Sequence, residues 1–86
     1  MAAPTFALEI VSPEQTVYSG DAVAVAAPGR EGSFGVLAHH APLLAALKAG
    51  DLTVTAADGQ VQTWPIRDGF LQVGANRCIV LATLSQ

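Results

Sequence analysis

Short stretches in which apolar and polar residues alternate follow one another along most of the chain. Phe6–Val11 alternates over its whole length, which places one set of side chains on a single face, as a half-buried β-strand requires. Further strand-like stretches are Gln15–Tyr18, Ala22–Ala26, Leu52–Thr55, Val61–Ile66, Phe70–Val73 and Cys78–Leu84. The last of these is almost entirely apolar, which is typical of a central strand.

Turn-forming residues separate these stretches at intervals of about eight to twelve residues. Ser12-Pro13 follows the first stretch, Asp58-Gly59 is a favoured pair for a tight hairpin, and Gly74-Ala75-Asn76 precedes the last stretch. The pattern as a whole predicts about eight to ten short strands in an all-β fold, an antiparallel sandwich or barrel.

The segment Ala41–Gly50 follows a different pattern. It is rich in Leu and Ala, with Pro42 near its start and Lys48 near its end, and these features favour a short helix. A helix of about two turns is marginal in isolation. This prediction therefore depends on local propensity alone.

Composition narrows the possible functions. The chain has 86 residues, enough for one domain over 1–86, and it is 51% hydrophobic and 13% charged with a net charge of −3. Only four Lys and Arg are present, which excludes a basic stripe for nucleic acid. No apolar run approaches the ~18 residues of a membrane span, and no export signal is visible. So few charges predict an apolar face that a partner covers.

Patterns for catalysis or metal binding are weak. His39 and His40 are adjacent, so on a strand their side chains point to opposite faces and do not share one ion. Ser33, His40 and Asp68 supply the residue types of a hydrolytic triad but lack a nucleophile elbow. The single Cys78 excludes an internal disulfide, fits a reducing compartment and is most simply a small buried hydrophobe. We therefore predict no enzyme, no metal and no cofactor.

The segment Pro28–Leu44 is the most distinctive part of the chain. It gathers three glycines, two prolines and both histidines. Glycines on either side of Ser33-Phe34 allow sharp bends that would direct Phe34 into the core. The pattern alone fits either a plain connector or a specialised corner of the domain.

Motifs in and around this segment resemble the ε subunit of F-type ATP synthase. They are Leu8–Glu14, Tyr18-Ser19-Gly20, Pro28-Gly29 with Glu31-Gly32, Phe34-Gly35-Val36-Leu37, His40-Ala41-Pro42-Leu43-Leu44, Leu47-Lys48-Ala49-Gly50, Asp68–Val73 and Val80-Leu81-Ala82. The resemblance spans nearly the whole chain and implies the N-terminal domain of that family, a sandwich of about ten antiparallel strands in two packed five-stranded sheets. In that fold Ala41–Ala46 is a strand, so the resemblance replaces the helix prediction.

The resemblance also implies a function. An ε subunit is a non-catalytic part of the central stalk that binds the γ subunit, sits on the ring of c subunits and turns with it, coupling ion translocation to ATP synthesis in the α/β head. Carried over from the family position by position, the resemblance implies that Ser12, His40 and Ala45 face γ and that Glu31 and Ser33 face the c ring. The implied location is peripheral, at the cytoplasmic face of a bacterial inner membrane.

The chain departs from the family pattern in two ways. Ala38-His39 stands where the family usually has Pro-Gly, and His39 adds a titratable group that would make the partner contact depend on pH. The sequence also stops where most members continue into a C-terminal helical hairpin. We therefore expect no C-terminal helical domain, no ε-type inhibition of ATP hydrolysis and no nucleotide binding.

The residues alone leave three other interpretations. A small ligand-binding β-sandwich or barrel would use the glycine-rich segment as its binding loop and would contain an enclosed pocket. A metal-dependent β-barrel enzyme would use His39 and His40 and would bind metal stoichiometrically. A lipoyl-type carrier fits less well, because Lys48 has no preceding acidic partner at a tight hairpin.

Overall fold

Seven β-strands form in residues 3–85, which are the residues that this computed structural model describes. They are β1 (Phe6–Val11), β2 (Thr16–Gly29), β3 (Gly32–Leu37), β4 (Leu43–Leu47), β5 (Gly50–Ala56), β6 (Val61–Gly74) and β7 (Arg77–Leu84). No helix occurs in this part of the chain. The all-β prediction is confirmed, but the predicted count of about ten strands is too high.

The lower count comes from β2 and β6, each of which is 14 residues long. The first half of β2 pairs with β1 and the second half with β3 and β5, with a register shift between Ala22 and Ala24. Likewise β6 passes from β5 to β4 and β7, with a shift between Ile66 and Asp68. Such irregularities let a strand bend while its ladder continues, so the turn-forming residues at 19–21 and 67–69 lie inside strands.

The sheet folds back on itself around these two bends. Its hydrogen-bonded order is β1-β7-β6-β4-β2-β3, and β5 pairs with both β2 and β6. The β1–β7 pairing is parallel, whereas the others are antiparallel. Instead of two separate, wholly antiparallel sheets of five strands, residues 3–85 thus form one continuous mixed sheet. Its inner side encloses the core.

Strand β4 decides between the two predictions for Ala41–Gly50. Leu43–Leu47 is a strand paired with β6, so the helix predicted from propensity is wrong and the strand implied by the family resemblance is confirmed, with slightly different bounds. Leu44 is 72% exposed whereas Leu47 is completely buried, and residues three apart differ in this way on a strand but not on a helix. Burial against β6 outweighs the helix propensity of Leu and Ala.

Side chains from all seven strands meet in one core. Its buried members are Phe6, Leu8, Ile10, Ala22, Val25, Ala27, Val36, Leu47, Leu52, Val54, Ile66, Leu71, Val73, Cys78, Val80 and Ala82. Phe34 packs against this core, as the flanking glycines predict, and Cys78 is buried, as predicted for a small hydrophobe. Burial raises the pKa of the Cys78 thiol from 9.0 to about 11, so the thiol stays protonated at neutral pH.

The turns collect at two ends of the folded sheet. At one end, the backbone N–H of Arg30 donates to the carbonyl oxygen of Ala46 (2.9 Å), which joins the β2–β3 turn to β4. At the other end, the backbone N–H of His39 donates to Asn76 Oδ1 (2.8 Å), which joins the β3–β4 loop to the β6–β7 turn. We call these the Arg30 end and the Asn76 end.

Candidate interaction surfaces

The outward side of β4, β6 and β7 carries large apolar side chains. Its cross-strand rows are Leu44–Gln72–Ile79–Glu9 and Ala46–Phe70–Leu81–Val11. Leu44 is 72% exposed, Phe70 55% and Leu81 53%. We call the surface formed by Leu44, Ala46, Phe70, Ile79 and Leu81 the apolar face.

Exposed apolar side chains concentrate on this face. Within residues 3–85, six large hydrophobic side chains are exposed: four belong to this face, and Leu37 and Val61 lie elsewhere. Phe70 and Leu81 are direct cross-strand partners, at the separation of about 5 Å at which paired side chains touch. A contiguous apolar surface of this kind marks a site of contact with another protein.

A groove of about 470 Å³ opens beside the apolar face, toward the Arg30 end. Phe70 and Leu81 line its apolar part, and Arg30 and Asp68 line it with one charge of each sign. A partner that covers the apolar face therefore also meets a cation and a carboxylate. An apolar centre with a polar rim is the usual anatomy of a protein interface.

The three residues predicted to face γ do not cluster. Ser12 is buried and closes the β1–β2 turn, since its Oγ donates to the Gln15 carbonyl oxygen (3.1 Å) and accepts from the Gln15 N–H (3.2 Å). His40 is half-buried in the β3–β4 loop, with Nδ1 2.6 Å from the next carbonyl oxygen. Ala45 pairs with Leu71 on the inward side of β4. Ser12 and His40 lie at opposite ends of the apolar face, and all three roles stay predictions.

The two residues predicted to face the c ring do lie together. Glu31 in the β2–β3 turn and Ser33 at the start of β3 are both exposed at the Arg30 end. Gly29 makes this turn tight, because a Cβ there would lie 2.6 Å from the Gly32 carbonyl oxygen and 2.8 Å from Phe34 Cε1. A second groove, of about 540 Å³, runs from Glu31 and Ser33 to the inward side of β4.

The structure does not assemble the other candidate chemistry. Ser33 and Asp68 belong to the Arg30 end and His40 to the Asn76 end, so these three residues do not form a triad. Within residues 3–85, no three side chains of His, Cys, Asp or Glu converge on a possible metal site. Both grooves are open to solvent, unlike the enclosed pocket expected of a ligand-binding module. In the same residues, no helix has the length and apolar character needed to cross a membrane.

The low charge content predicts an apolar face but does not say where it lies, although the sequence contains a signal for its position. In Phe70-Leu71, neighbouring apolar side chains must point to opposite sides of the sheet, so one of them faces outward. The run Cys78–Leu84 also contains neighbouring apolar residues that must point to opposite sides of the sheet. From its pattern this run is interpreted as a central strand, buried on both sides. In the structure Val80 is buried, whereas Leu81 is exposed.

The fold and the apolar face define a small β-sandwich domain with a surface suited to protein contact. Residues 5–84 match the family "ATP synthase, Delta/Epsilon chain, beta-sandwich domain", and the chain belongs to this family. The ATP synthase epsilon chain of Chlorobaculum tepidum is 45% identical over 76 residues, which cover 88% of this chain and 86% of the relative. That of Rhodopseudomonas palustris (strain BisB5) is 44% identical over 81 residues, 94% of this chain and 59% of the relative.

Two solved structures share the fold. A chain in the cryo-EM structure of the Euglena gracilis mitochondrial ATP synthase has a TM-score of 0.85 at 22% identity, covering 95% of this chain and 53% of that chain. A chain in the central stalk/c-ring structure of the Tetrahymena thermophila mitochondrial ATP synthase has a TM-score of 0.78 at 16% identity, covering 96% and 66%. At these identities the likeness extends to the fold alone.

Proposed function

We propose that this chain is a non-catalytic central-stalk subunit of an F-type ATP synthase. It binds the γ subunit and the c ring, turns with them, and so couples ion translocation to ATP synthesis in the α/β head. Its place is peripheral, at the cytoplasmic face of a bacterial inner membrane. Family membership and relatives named ATP synthase epsilon chain support this proposal.

The observation that carries the proposal is the apolar face. Leu44, Phe70 and Leu81 are each more than half exposed on one side of the sheet. Covering a side chain of this size contributes about 1.5–3 kcal/mol at full burial. A partner that stays bound through many rotations requires such a surface, and we assign this face to the γ subunit.

The Arg30 end suits the second contact, to the c ring. Glu31 in the β2–β3 turn and Ser33 at the start of β3 are exposed to solvent there, and Arg30 directly precedes Glu31. Polar groups of this kind can hydrogen-bond with the polar loops that a membrane-embedded ring exposes. The continuous ladder between this end and the apolar face provides the stiffness that a torque-bearing part needs.

The 86 residues by themselves are proposed neither to inhibit ATP hydrolysis nor to bind ATP. In the family these properties belong to the helical hairpin, which is not among these residues. Titration with ATP checks this point, and saturable binding at micromolar concentrations would contradict it.

The decisive experiment measures binding of this chain to the γ subunit of its own organism. Leu44→Asp places a charge on the apolar face, and Leu37→Asp is the matched control, because Leu37 is also an exposed leucine (63%) but lies on β3. We expect a one-to-one complex that Leu44→Asp weakens at least about tenfold, the effect of burying an unpaired charge in an interface. Leu37→Asp should leave the affinity unchanged.

Circular dichroism melts of both variants check that each still folds. Failure of the wild-type chain to bind γ at micromolar concentration would overturn the proposed function. Equal loss in the two variants would overturn the assignment of the apolar face. A third variant, Ala45→Trp, tests the predicted γ contact at Ala45. Weaker γ binding with an unchanged melting temperature would support this contact, and unchanged γ binding would contradict it.

A further inference from the structure

The side chain of Asn76 joins two segments that are far apart in the sequence. Its Nδ2 donates to the carbonyl oxygen of Thr5 (3.0 Å), across a separation of 71 residues. Its Oδ1 accepts from the backbone N–H of His39 (2.8 Å), across a separation of 37 residues. One amide side chain thus ties the β3–β4 loop and the start of β1 to the β6–β7 turn.

The hairpin turn fixes where this side chain points. Ala75 and Asn76 have φ values of 51° and 57°, and they connect the paired residues Gly74 and Arg77. Left-handed backbone at both central positions is characteristic of the two-residue hairpin turn, and Asn is among the residues that adopt it readily. The Asn76 carbonyl oxygen also accepts from the N–H of Ala7 (3.3 Å), which further anchors the turn.

The loop residue that Asn76 binds has an uncommon conformation. His39 has a φ of 64°, in the left-handed region where a residue with a Cβ rarely lies. A backbone of this kind persists when surrounding contacts hold it. In the loop 38–42 the backbone hydrogen bond from the His40 N–H to the Leu37 carbonyl oxygen is long (3.3 Å), so the shorter bond to Asn76 is the stronger restraint.

We propose that Asn76 is a positioning residue for γ binding: it holds the loop 38–42 in its binding conformation before the partner arrives. The loop carries His40 and leads directly into Leu44 on the apolar face. A loop that is already ordered loses less conformational entropy on binding than a free one. This inference rests on the proposed function, because it takes γ as the partner.

Two substitutions separate this role from a general role in holding the fold together. Asn76→Gly keeps the left-handed backbone but removes both side-chain hydrogen bonds. Asn76→Asp also tolerates that backbone and keeps the acceptor for the His39 N–H, but it loses the donor to Thr5. Only the first variant therefore releases the loop, whereas both release the start of β1.

The experiment measures two quantities for the wild type and both variants. Amide hydrogen exchange at His39 in the isolated chain, followed by NMR, reports whether the loop is held. The Kd for the γ subunit, measured at ionic strength high enough to screen the added Asp charge, reports binding. For Asn76→Gly we expect about fivefold faster exchange at His39, as for the loss of one hydrogen bond of ordinary strength, and measurably weaker binding, by up to about fivefold. Asn76→Asp should stay within about twofold of wild type in both.

Two results would overturn the inference. One is unchanged γ affinity in Asn76→Gly despite faster exchange at His39; the other is equal weakening in both variants, which would assign the effect to the Thr5 contact. If the wild-type chain does not bind γ, the proposed function fails. Faster exchange confined to Asn76→Gly would then show only that Asn76 holds the loop 38–42, and unchanged exchange would overturn that as well.

Discussion

The two outward sides of the folded sheet differ in the size of their side chains. One is the apolar face, where Phe70 and Leu81 stand opposite each other on neighbouring strands. The other, formed by β2, β3, β5 and the first half of β6, presents Ala24, Ala26, Gly35, Thr53, Thr55 and Thr63 along the paired strands. We call these six residues the small-residue face.

The difference in side-chain size makes the apolar face suited to binding a partner and the small-residue face suited to contact with solvent. The small-residue face also has exposed apolar neighbours, Leu37 and Val61. Leu37 and Val61 are the ends of the cross-strand row Leu37–Ala24–Thr55–Val61. Their side chains are therefore three strand spacings, or about 14 Å, apart. Isolated apolar side chains are ordinary on a protein surface, whereas a contiguous set is a binding surface.

The largest expected effect concerns the backbone beneath the two faces. At Gly69, on the bend of β6, a Cβ would overlap the Leu81 carbonyl oxygen and lie 3.0 Å from Ala82 Cα, so Gly69→Ala forces backbone to move. At Gly35, on the small-residue face, the nearest atom to such a Cβ is the Val25 carbonyl oxygen at 3.7 Å, an ordinary contact. We expect Gly69→Ala to lower the free energy of unfolding by about 3 kcal/mol.

Urea unfolding of the isolated chain measures this difference. Gly35→Ala should not lower the free energy of unfolding, because its Cβ would make only an ordinary contact, and this makes it the matched control. Similar losses for the two substitutions would show that the sheet is equally close-packed under both faces.

The second prediction concerns Cys78, which lies in the core beneath the apolar face. Its folded pKa of about 11 exceeds the ordinary value of 9.0, so as the pH rises the unfolded chain releases the thiol proton first. The buried neutral thiol therefore makes its full contribution to the free energy of unfolding below about pH 9, and this contribution is lost as the pH rises toward about 11. The full loss is about 2–3 kcal/mol, from about two pKa units.

Urea unfolding at about pH 8 and about pH 10.5 tests this expectation. Cys78→Ala is the control, because it removes the thiol and leaves every other side chain in place. The wild type should lose more stability between the two pH values than Cys78→Ala does. Equal losses would mean that β7 opens enough to hydrate the thiol.

Local chemistry predicts the turns of this fold but not its bends. Asp58-Gly59 and Gly74–Asn76 lie in hairpin connections as predicted, because Gly59 (φ 90°) and Asn76 (φ 57°) are residues that adopt left-handed backbone readily. The segments at 19–21 and 67–69 contain similar residues but continue as bent strands. Whether such a segment turns or bends depends on which strands pair on both sides of it, and those strands are remote in sequence.

Of the two candidate surfaces, the sequence predicts the local one at the Arg30 end but not the position of the apolar face, which is assembled from several strands. Glu31 and Ser33 lie together because they are two residues apart at one hairpin, which the glycines of Pro28–Leu44 indicate. The apolar face draws on three strands, and its assembly depends on the order β4-β6-β7. A sequence pattern shows that Leu81 points away from Val80, but only the strand order shows that no layer covers it.

A smaller effect is expected at the loop beside the apolar face. Left-handed backbone at a residue with a Cβ costs about 1–2 kcal/mol, and glycine avoids this cost but loses more entropy on folding, about 0.5–1 kcal/mol. We therefore expect His39→Gly, at a φ of 64°, to stabilise the isolated chain by about 0.5 kcal/mol. Thermal unfolding measures this, with exposed Ala75→Gly (φ 51°) as a second site of the same kind. A clear destabilisation would show that the histidine ring makes contacts that glycine loses.

The smallest expected effect is the coupling energy between cross-strand neighbours on each face, which can be compared with their effect on γ binding. Thr53 Oγ1 and Thr63 Oγ1 lie 3.1 Å apart on the small-residue face, and Phe70 and Leu81 are the corresponding cross-strand pair on the apolar face. Alanine double-mutant cycles on urea unfolding should give a coupling of about 0.5 kcal/mol for each pair, as for exposed cross-strand neighbours. In γ binding, however, only the Phe70 and Leu81 substitutions should weaken the complex. A much larger stability coupling for Phe70 and Leu81 would mean that these side chains serve the stability of the fold. A small coupling together with a large loss of γ binding would mean that they serve the contact with the partner.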